Sequence, residues 1–256
     1  MDVIRATVAL RDRDLFDVFD LAAMFAGKNA RKLGLAAIAG LAPALVAVAV
    51  ARETLEAPFV WMLALALVPL VEAPVVAMAS RLVFDETAKV KDALVVALKA
   101  LPRLYVARAA NVIAVVAAFL AAVFPAVWVQ AITAFAPEVA LLERAGPIDA
   151  CQRSYRIAQG HAGEGILAAI FAGLVRAGAA PFGAHLGTVL MTELLDLRAP
   201  PSILDDPTNP FALSFFLILA SPLALARFFL YLNMRTRSEG WDIQTRFAAL
   251  ARRAAP

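Results

Sequence analysis

The sequence predicts an all-α polytopic membrane protein, and three observations lead to this class. Hydrophobic side chains make up 62% of the 256 residues and charged ones only 18%, against about a quarter in a soluble domain. The apolar residues are concentrated in runs of the length that a membrane-crossing helix needs, about 20 residues. Basic residues cluster in alternate connecting segments, which is how orientation is encoded in membranes. The composition excludes a disordered chain, a collagen-like chain and a disulfide scaffold.

Four membrane spans can be read directly from the apolar runs. Residues 33–50 and 58–79 are separated by a short connector, so they are predicted to form a helical hairpin. A longer run, 165–195, contains Pro181 and is interpreted as one kinked span. It is followed by a loop rich in Pro and Asp, and then by the last span, 211–234.

The central apolar run, 112–142, requires a different interpretation. At 1.5 Å per residue it is about 46 Å long, which exceeds a hydrocarbon core of about 30 Å. Pro125 lies within it, where a helix is expected to kink or break. We therefore predict two spans here, 105–124 and 126–142, which brings the total to six.

The distribution of basic residues predicts the orientation. Twenty of the 24 Lys and Arg residues lie in four segments on one side of the predicted membrane: 1–33, 80–108, 143–163 and 235–256. Only two lie in the opposite loops, and Arg176 and Arg227 lie inside spans. This asymmetry predicts that both termini are cytoplasmic. The N-terminus lacks an apolar core before a cleavage site, so no removable signal peptide is expected.

A repeated unit is suggested by the cytoplasmic segments that precede each hairpin. The second and third align without gaps at an offset of 57, which pairs Glu86 with Glu143 and Asp92 with Asp149. The first fits more loosely, with Asp17 at the place of Asp92. We predict three units of interfacial helix plus hairpin, although any amphipathic helix beside a membrane would show a similar pattern.

This interpretation treats residues 1–256 as a single membrane domain. Its predicted parts are an amphipathic helix (1–33), a first hairpin (33–79), an interfacial helix (80–104), a second hairpin (105–142), an interfacial helix (143–163), a third hairpin (164–234) and a tail helix (235–256). Amphipathic helices of this kind lie at the headgroup level with Lys and Arg toward anionic lipid. Anionic lipids of the cytoplasmic leaflet are thus expected partners, and a docking platform for another protein is the alternative.

Three stretches of the sequence resemble a known group of proteins. They are LRDRDLFDVFDLAAMFAGKN near the N-terminus, FPAVW with PEVALLERAGPIDACQRSYRIAQGH in the middle, and YLNMRTRSEGWDIQ at the end. Together they are similar to the bacterial six-span membrane proteins related to the glycerophosphoryl diester phosphodiesterase membrane domain. The residues that carry the resemblance are Pro125, Pro137, Leu142, Glu143, Ala150, Arg153, Ser154, Gly160, Arg235, Arg237, Glu239, Gly240 and Asp242. One departure is Asn233, where the pattern leads us to expect Asp.

The resemblance implies a location in the bacterial cytoplasmic membrane, but it does not imply enzyme activity. In the phosphodiesterases the chemistry resides in a separate soluble domain after the membrane part. This chain ends at Pro256, so we expect that domain to be absent. Of the motif residues, Glu143 is interpreted first as an acid near a helix N-terminus that pairs with a basic residue, and Arg235 and Arg237 as anchors that pair with Glu239 and Asp242.

The ionisable residues inside spans are the candidate site. Arg176 lies about twelve residues into the fifth predicted span, too deep for a loop charge. Glu72 is expected at a similar depth, with Glu138 as a shallower competitor. Such groups form either a structural ion pair or a polar pathway. Arg227 is expected nearer the inner surface, where it would extend to the headgroups without a role.

No further catalytic or metal-binding pattern is found in the sequence. His161 and His185 lie 24 residues apart on different sides of a span, and the chain has one cysteine, so no metal or cofactor is expected. Nucleic acid is not an expected partner, because the basic residues flank apolar runs. The glycines Gly165, Gly173 and Gly178 are expected to allow close helix packing.

The leading functional hypothesis is a non-enzymatic membrane component: a scaffold or subunit that contacts a partner protein or a second copy of itself, or a component that organises lipid. The alternative is a transporter or permease for a small molecule or lipid, with a polar site near Glu72 and Arg176. The two hypotheses differ in structure. A transporter should have a cavity that reaches the middle of the membrane near these residues, whereas a scaffold should be a closed bundle with an exposed apolar patch.

Overall fold

The computed structural model describes residues 13–239, and every regular element in this range is helical. The helices are α1 (Leu15–Lys28), α2 (Ala30–Arg52), α3 (Ala57–Leu82), α4 (Val90–Ala121), α5 (Val123–Thr133), α6 (Ala136–Glu138), α7 (Pro147–Ala158), α8 (Ala162–Val189) and α9 (Pro210–Glu239). The chain continues from α6 into a π-helical turn, Val139–Glu143, and from α8 into another, Leu190–Leu194.

Six helical segments in the described range are long and apolar enough to cross a membrane, which confirms the predicted fold class. They are Ala30–Arg52, Ala57–Leu82, Val90–Ala121, Val123–Glu143, Pro147–Leu194 and Pro210–Glu239. Many large apolar side chains on these segments are exposed, for example Ile113 at 68% and Leu120 at 84%. Exposure of this kind is expected where lipid, rather than protein or water, surrounds a helix.

The sequence predicts that the third and fourth spans are separated at Pro125, but in the structure the break is at Ala122. Ala122 has φ −176° and ψ 167°, an extended conformation that ends α4 and begins α5. Pro125 is the third residue of α5. A proline has no backbone N–H, and the first turn of a helix does not use that group. Pro125 therefore lies where a helix begins without strain, and the break precedes it.

The second interfacial helix is not a separate element. The predicted boundary between residues 104 and 105 falls within α4, which runs without interruption from Val90 to Ala121. At 1.5 Å per residue these 32 residues measure about 48 Å, so the helix projects beyond the hydrocarbon core. Before the third hairpin the structure agrees better with the predicted division between helix and hairpin, because a 3₁₀ turn at Gln159–His161 separates α7 from α8. The predicted tail helix lies mostly outside the described residues.

Close helix packing uses one of the expected glycines, Gly165, where an added Cβ would lie 3.6 Å from the carbonyl oxygen of Ala131, and other glycines that were not expected. A Cβ atom added at Gly40 of α2 would lie 2.5 Å from the carbonyl oxygen of Leu70 in α3. Gly183 and Gly187 of α8 pack in the same manner against aromatic residues of α9. At Gly173 and Gly178 an added Cβ would meet no atom within 4 Å. These two glycines face open space, and α8 makes its close contacts with α9 at Gly183 and Gly187 instead.

Five of the spanning helices form a ring around the centre of the molecule. Neighbouring contacts connect α3 to α4, α4 to α5, α5 to α8, α8 to α9, and α9 back to α3. Helix α2 packs outside the ring on α3 and α9, and α1 packs on α9. The most deeply buried large side chains include Phe228 and Tyr231 of α9 and Phe135 between α5 and α6. This ring determines which polar side chains meet inside the membrane.

Candidate functional site

Five ionisable side chains meet inside the helix bundle, within the candidate spans, and each comes from a different helix. They are Glu72 of α3, Arg108 of α4, Glu138 of α6, Arg176 of α8 and Arg227 of α9. We call these five residues the central charge cluster. Glu72 lies ten residues before the end of α3 at Leu82, about 15 Å along the helix axis, so the cluster lies well inside this helix.

Glu72 is the common partner of the three arginines. Its Oε1 atom accepts a hydrogen bond from Arg176 across 2.9 Å. Its Oε2 atom accepts one from Arg227 across 2.8 Å and a longer one, 3.4 Å, from Arg108. The side chain of Glu72 is only 3% exposed. A buried carboxylate is tolerated because these guanidinium groups neutralise it and satisfy its oxygen atoms.

Glu138 is held in the cluster by Arg227. The Nε atom of Arg227 donates to Oε1 of Glu138 across 2.6 Å, while its Nη2 atom donates to Glu72. Arg227 therefore bridges the two acids. Glu138 is 1% exposed, and its Oε2 atom has no hydrogen-bond partner among the described residues.

The structure brings together the three residues of the predicted candidate site and adds two arginines, Arg108 and Arg227. Glu72 and Arg176 are in direct contact, and Glu138 joins them through Arg227. The expectation that Arg227 extends to the inner surface was wrong, because two buried acids bind it at the level of Glu72. The sequence analysis counts Arg108 with the cytoplasmic segment 80–108, although the predicted third span, 105–124, also contains it. Its spacing to Ala121, 13 residues within one helix, was the signal that it lies inside the membrane.

The charges of the cluster do not cancel. Three arginines and two carboxylates leave one excess positive charge among the residues that the structure brings together here. Arg108 and Arg176 each donate a single hydrogen bond, to Glu72, within residues 13–239. A guanidinium carries five N–H donors, so most donors of both side chains face away from their protein partner. Their side chains are 22% and 30% exposed.

A cavity of about 680 Å³ lies among the helices of the ring, next to the central charge cluster. Arg108, Arg176 and Arg227 line it together with the polar side chains of Asn111 and Gln130. The rest of its wall is mostly apolar and includes Leu65, Val112, Ile113, Phe171 and Gly173. Ile113 and Leu65 are more than half exposed, so the cavity opens toward the lipid-facing surface of the bundle. Its volume lies within the range of sites for small molecules, about 300–1,000 Å³.

A second polar cluster holds most of the charged motif residues together, nearer the ends of the fourth and sixth spans than the central charge cluster. Glu143 pairs with Arg153 of α7 at 3.4 Å and with Arg235 of α9 at 3.3 Å. Glu239 accepts from Arg235 across 2.9 Å and also pairs with Arg153. The hydroxyl of Tyr231 donates to Glu143 across 2.7 Å. We call these five residues the motif cluster; its contacts connect the end of the fourth span to α7 and α9.

Other contacts attach the N-terminal end of the described chain to α9. The amide side chain of Asn233 accepts from the backbone N–H of Arg13 and donates to its carbonyl oxygen. Arg237 donates to the same carbonyl oxygen across 2.6 Å and to Glu164 of α8 across 2.5 Å. An aspartate at position 233 would lack the amide N–H, so asparagine is suited to this reciprocal contact.

The remaining motif residues make structural contacts or lie in turns. Ser154 is fully buried in α7 and donates to the carbonyl oxygen of Ile132 while accepting from the N–H of Phe135. Gly160 lies in the 3₁₀ turn before α8. Gly240 and Asp242 lie outside the described residues. None of the motif residues from Glu143 onward belongs to the central charge cluster.

Comparison with known proteins finds no matching family model, no similar curated protein and no similar solved structure. The helices themselves define the class: the chain is a multi-pass membrane protein, with six candidate spans within residues 13–239.

Proposed function

We propose that the protein is a membrane permease that binds a small amphipathic molecule or lipid in its central cavity and moves it through the bilayer. A single observation supports this most directly: the cavity of about 680 Å³ reaches the central charge cluster inside the bundle. Ionisable residues within membrane spans typically mark substrate or ion pathways. A scaffold would require neither the cavity nor the excess positive charge.

The location of the cavity favours an amphipathic ligand. Arginine donors lie at its inner wall, and apolar side chains line the way to the lipid-facing surface. A molecule that enters from the bilayer would keep its apolar part in apolar surroundings and bring its polar part to the arginines. We propose no bond-breaking step, and the function is non-enzymatic.

A reconstitution experiment tests this proposal. Protein in liposomes that contain a trace of a fluorescent phospholipid is compared with protein-free liposomes, and an impermeant quencher reports lipid that changes leaflet. We expect faster leaflet exchange with the protein, and slower exchange for Arg176→Gln. Lys99→Gln, which removes an exposed positive charge from α4 outside the cavity, is the matched control and should retain exchange. Equal exchange with and without protein would overturn the proposal.

A second candidate function is a scaffold that contacts a partner protein. Exposed apolar side chains on α1 and α7 support it. Phe16 of α1 is 81% exposed and Ile148 of α7 is 73% exposed. Crosslinking in native membranes tests it, because a partner bound at α7 should be lost in Ile148→Asp and retained in Arg156→Ala. Crosslinking of the parent protein to lipid alone would count against the scaffold.

We propose further that the protein lies in a bacterial cytoplasmic membrane with both termini inside, and that its resemblance to the six-span membrane domains reflects kinship.

We also propose three repeated units, each an interfacial helix followed by a hairpin. In support, α1, α4 and α7 begin at Leu15, Val90 and Pro147, which are equivalent positions in the sequence alignment. The side chains three positions later in each helix are fully buried: Val18, Ala93 and Ala150.

A further inference from the structure

We infer that the ligand of the central cavity is an anionic lipid with a phosphate headgroup, which is bound by the free N–H donors of Arg108 and Arg176. This inference deepens the proposed function and rests on it, because it names the chemical class of the molecule that the cavity holds.

The charge of the cluster requires an anion rather than a neutral headgroup. Arg227 is neutralised by two acids, with hydrogen bonds of 2.6 and 2.8 Å. Arg108 and Arg176 share one carboxylate, that of Glu72, with contacts of 3.4 and 2.9 Å. An unbalanced positive charge is costly in a medium of low dielectric constant, and one bound negative charge removes this cost.

The geometry of the donors favours phosphate. Arg176 and Arg108 approach different oxygen atoms of Glu72, and both then line the same cavity. Two guanidinium groups that line one cavity present more N–H donors than the two oxygen atoms of a carboxylate ligand would use. A phosphate monoester offers three terminal oxygens, and planar guanidinium groups bind such oxygens in pairs.

The wall beyond the arginines indicates a lipid rather than free phosphate. Val112 and Ile113 of α4 and Phe171 and Gly173 of α8 line it, and a ring contact with a centroid distance of 5.2 Å joins Phe171 to Phe19 of α1. An inorganic anion would leave this apolar surface without a contact. An acyl chain attached to the phosphate would cover it and extend through the opening toward the bilayer.

The first experiment measures lipid binding by native mass spectrometry on the full chain in detergent. The probes are dioleoyl phosphatidic acid, dioleoyl phosphatidylcholine with the same acyl chains, and inorganic phosphate. We expect phosphatidic acid to bind at least about tenfold more tightly than phosphatidylcholine, and phosphate not to compete at equal concentration. Arg108→Gln and Arg176→Gln should each weaken phosphatidic acid binding about tenfold, as expected for one lost charge-assisted hydrogen bond. Arg103→Gln, on the same helix outside the cavity, should not change it.

A second pair of variants blocks the cavity without altering a charge. Gly173 lines the cavity and Gly178 does not, and an added Cβ meets no atom within 4 Å at either position. Both are in α8, so Gly173→Leu and Gly178→Leu carry the same change in helix propensity. We expect Gly173→Leu to lose phosphatidic acid binding and Gly178→Leu to keep it. This pair keeps the test informative even where the arginine variants fail to fold.

The outcomes separate the two proposals. Equal binding of both lipids, abolished by Gly173→Leu, would overturn the anionic phosphate-monoester headgroup and leave the lipid permease standing. Competition by inorganic phosphate at equal concentration would overturn the lipid assignment in favour of a free anion. Lipid binding that Gly173→Leu leaves unchanged would show that the cavity is not the site, and both proposals would then fall.

Discussion

The Nε atom of Arg227 donates a hydrogen bond to Oε1 of Glu138 across 2.6 Å, between α9 and the short helix α6. Both side chains lie in the interior of the bundle, and Glu138 is almost fully buried. The contact joins the fourth and sixth spans, which are 89 residues apart in the sequence. The stability of the bundle should therefore depend on the charged residues of the central charge cluster.

Removing Arg227 alone should destabilise the protein strongly. Arg227→Met would leave Glu138 buried without its partner, a change that typically costs about 3–5 kcal/mol in the free energy of unfolding. The double variant Arg227→Met with Glu138→Leu removes both charges and should recover most of the loss. Thermal unfolding in detergent can be followed through a thiol-reactive dye at the single cysteine, Cys151. A double variant as unstable as the single one would contradict this account.

Packing between α2 and α3 should depend on the absence of a side chain at Gly40. An alanine Cβ at this position would lie 2.5 Å from the Leu70 carbonyl oxygen and 3.0 Å from the Cα of Val71. Since both are backbone atoms, the helices must separate, at a cost of about 1–3 kcal/mol. Gly34→Ala on the same helix meets no atom within 4 Å and should be neutral or stabilising. The melting temperatures of the two variants provide the comparison.

The motif cluster should fix the end of α9 against α7. Arg153→Ala removes contacts to Glu143 and Glu239, and because these side chains are partly exposed we expect a loss of only about 1 kcal/mol. Hydrogen exchange of backbone amides near the end of α9 should become faster. Arg156→Ala, three residues further along α7 and exposed, is the control. Equal exchange rates in the two variants would show that the cluster does not order this region.

Ionisation of Asp206, in the loop before α9, should make the stability of the protein depend on pH. Hydrogen bonds from the hydroxyl and N–H of Thr208, with Arg52 as a further partner, hold the pKa of Asp206 below its usual value. A lowered pKa means that the ionised form stabilises the folded state above the usual Asp pKa, about 3.9. This contribution is lost as the pH falls through the lower folded value. The drop in melting temperature between pH 6 and pH 3 should be smaller in Asp206→Asn than in Asp205→Asn.

The proposed orientation predicts which side of the membrane each loop occupies. In a Cys151→Ser background, Leu204→Cys lies in the loop before α9 and Ile148→Cys lies in α7; the native side chains are 90% and 73% exposed. We expect an impermeant maleimide to label Leu204→Cys in intact cells and Ile148→Cys only after permeabilisation. Labelling of Ile148→Cys in intact cells would reverse the orientation.

The six spans could be predicted from the sequence because the transfer of a helix into lipid depends on the summed hydropathy of one local window. The presence of Glu72 and Arg176 inside spans could be predicted for the same reason. The charged partners of Glu143 were expected only as an unspecified basic residue, and the structure supplies two, Arg153 and Arg235.

Tertiary structure alone decided where the third span ends and which charges meet. Ala122 ends α4 with an extended conformation, although Pro125 is the stronger local signal, because a proline is compatible with the first turn of the next helix. Arg108 and Arg227 each looked like a charge near the cytoplasmic surface. They lie inside the bundle because Glu72 and Glu138 neutralise them there, and the rotation and contacts of five helices, which no local window contains, determine that arrangement.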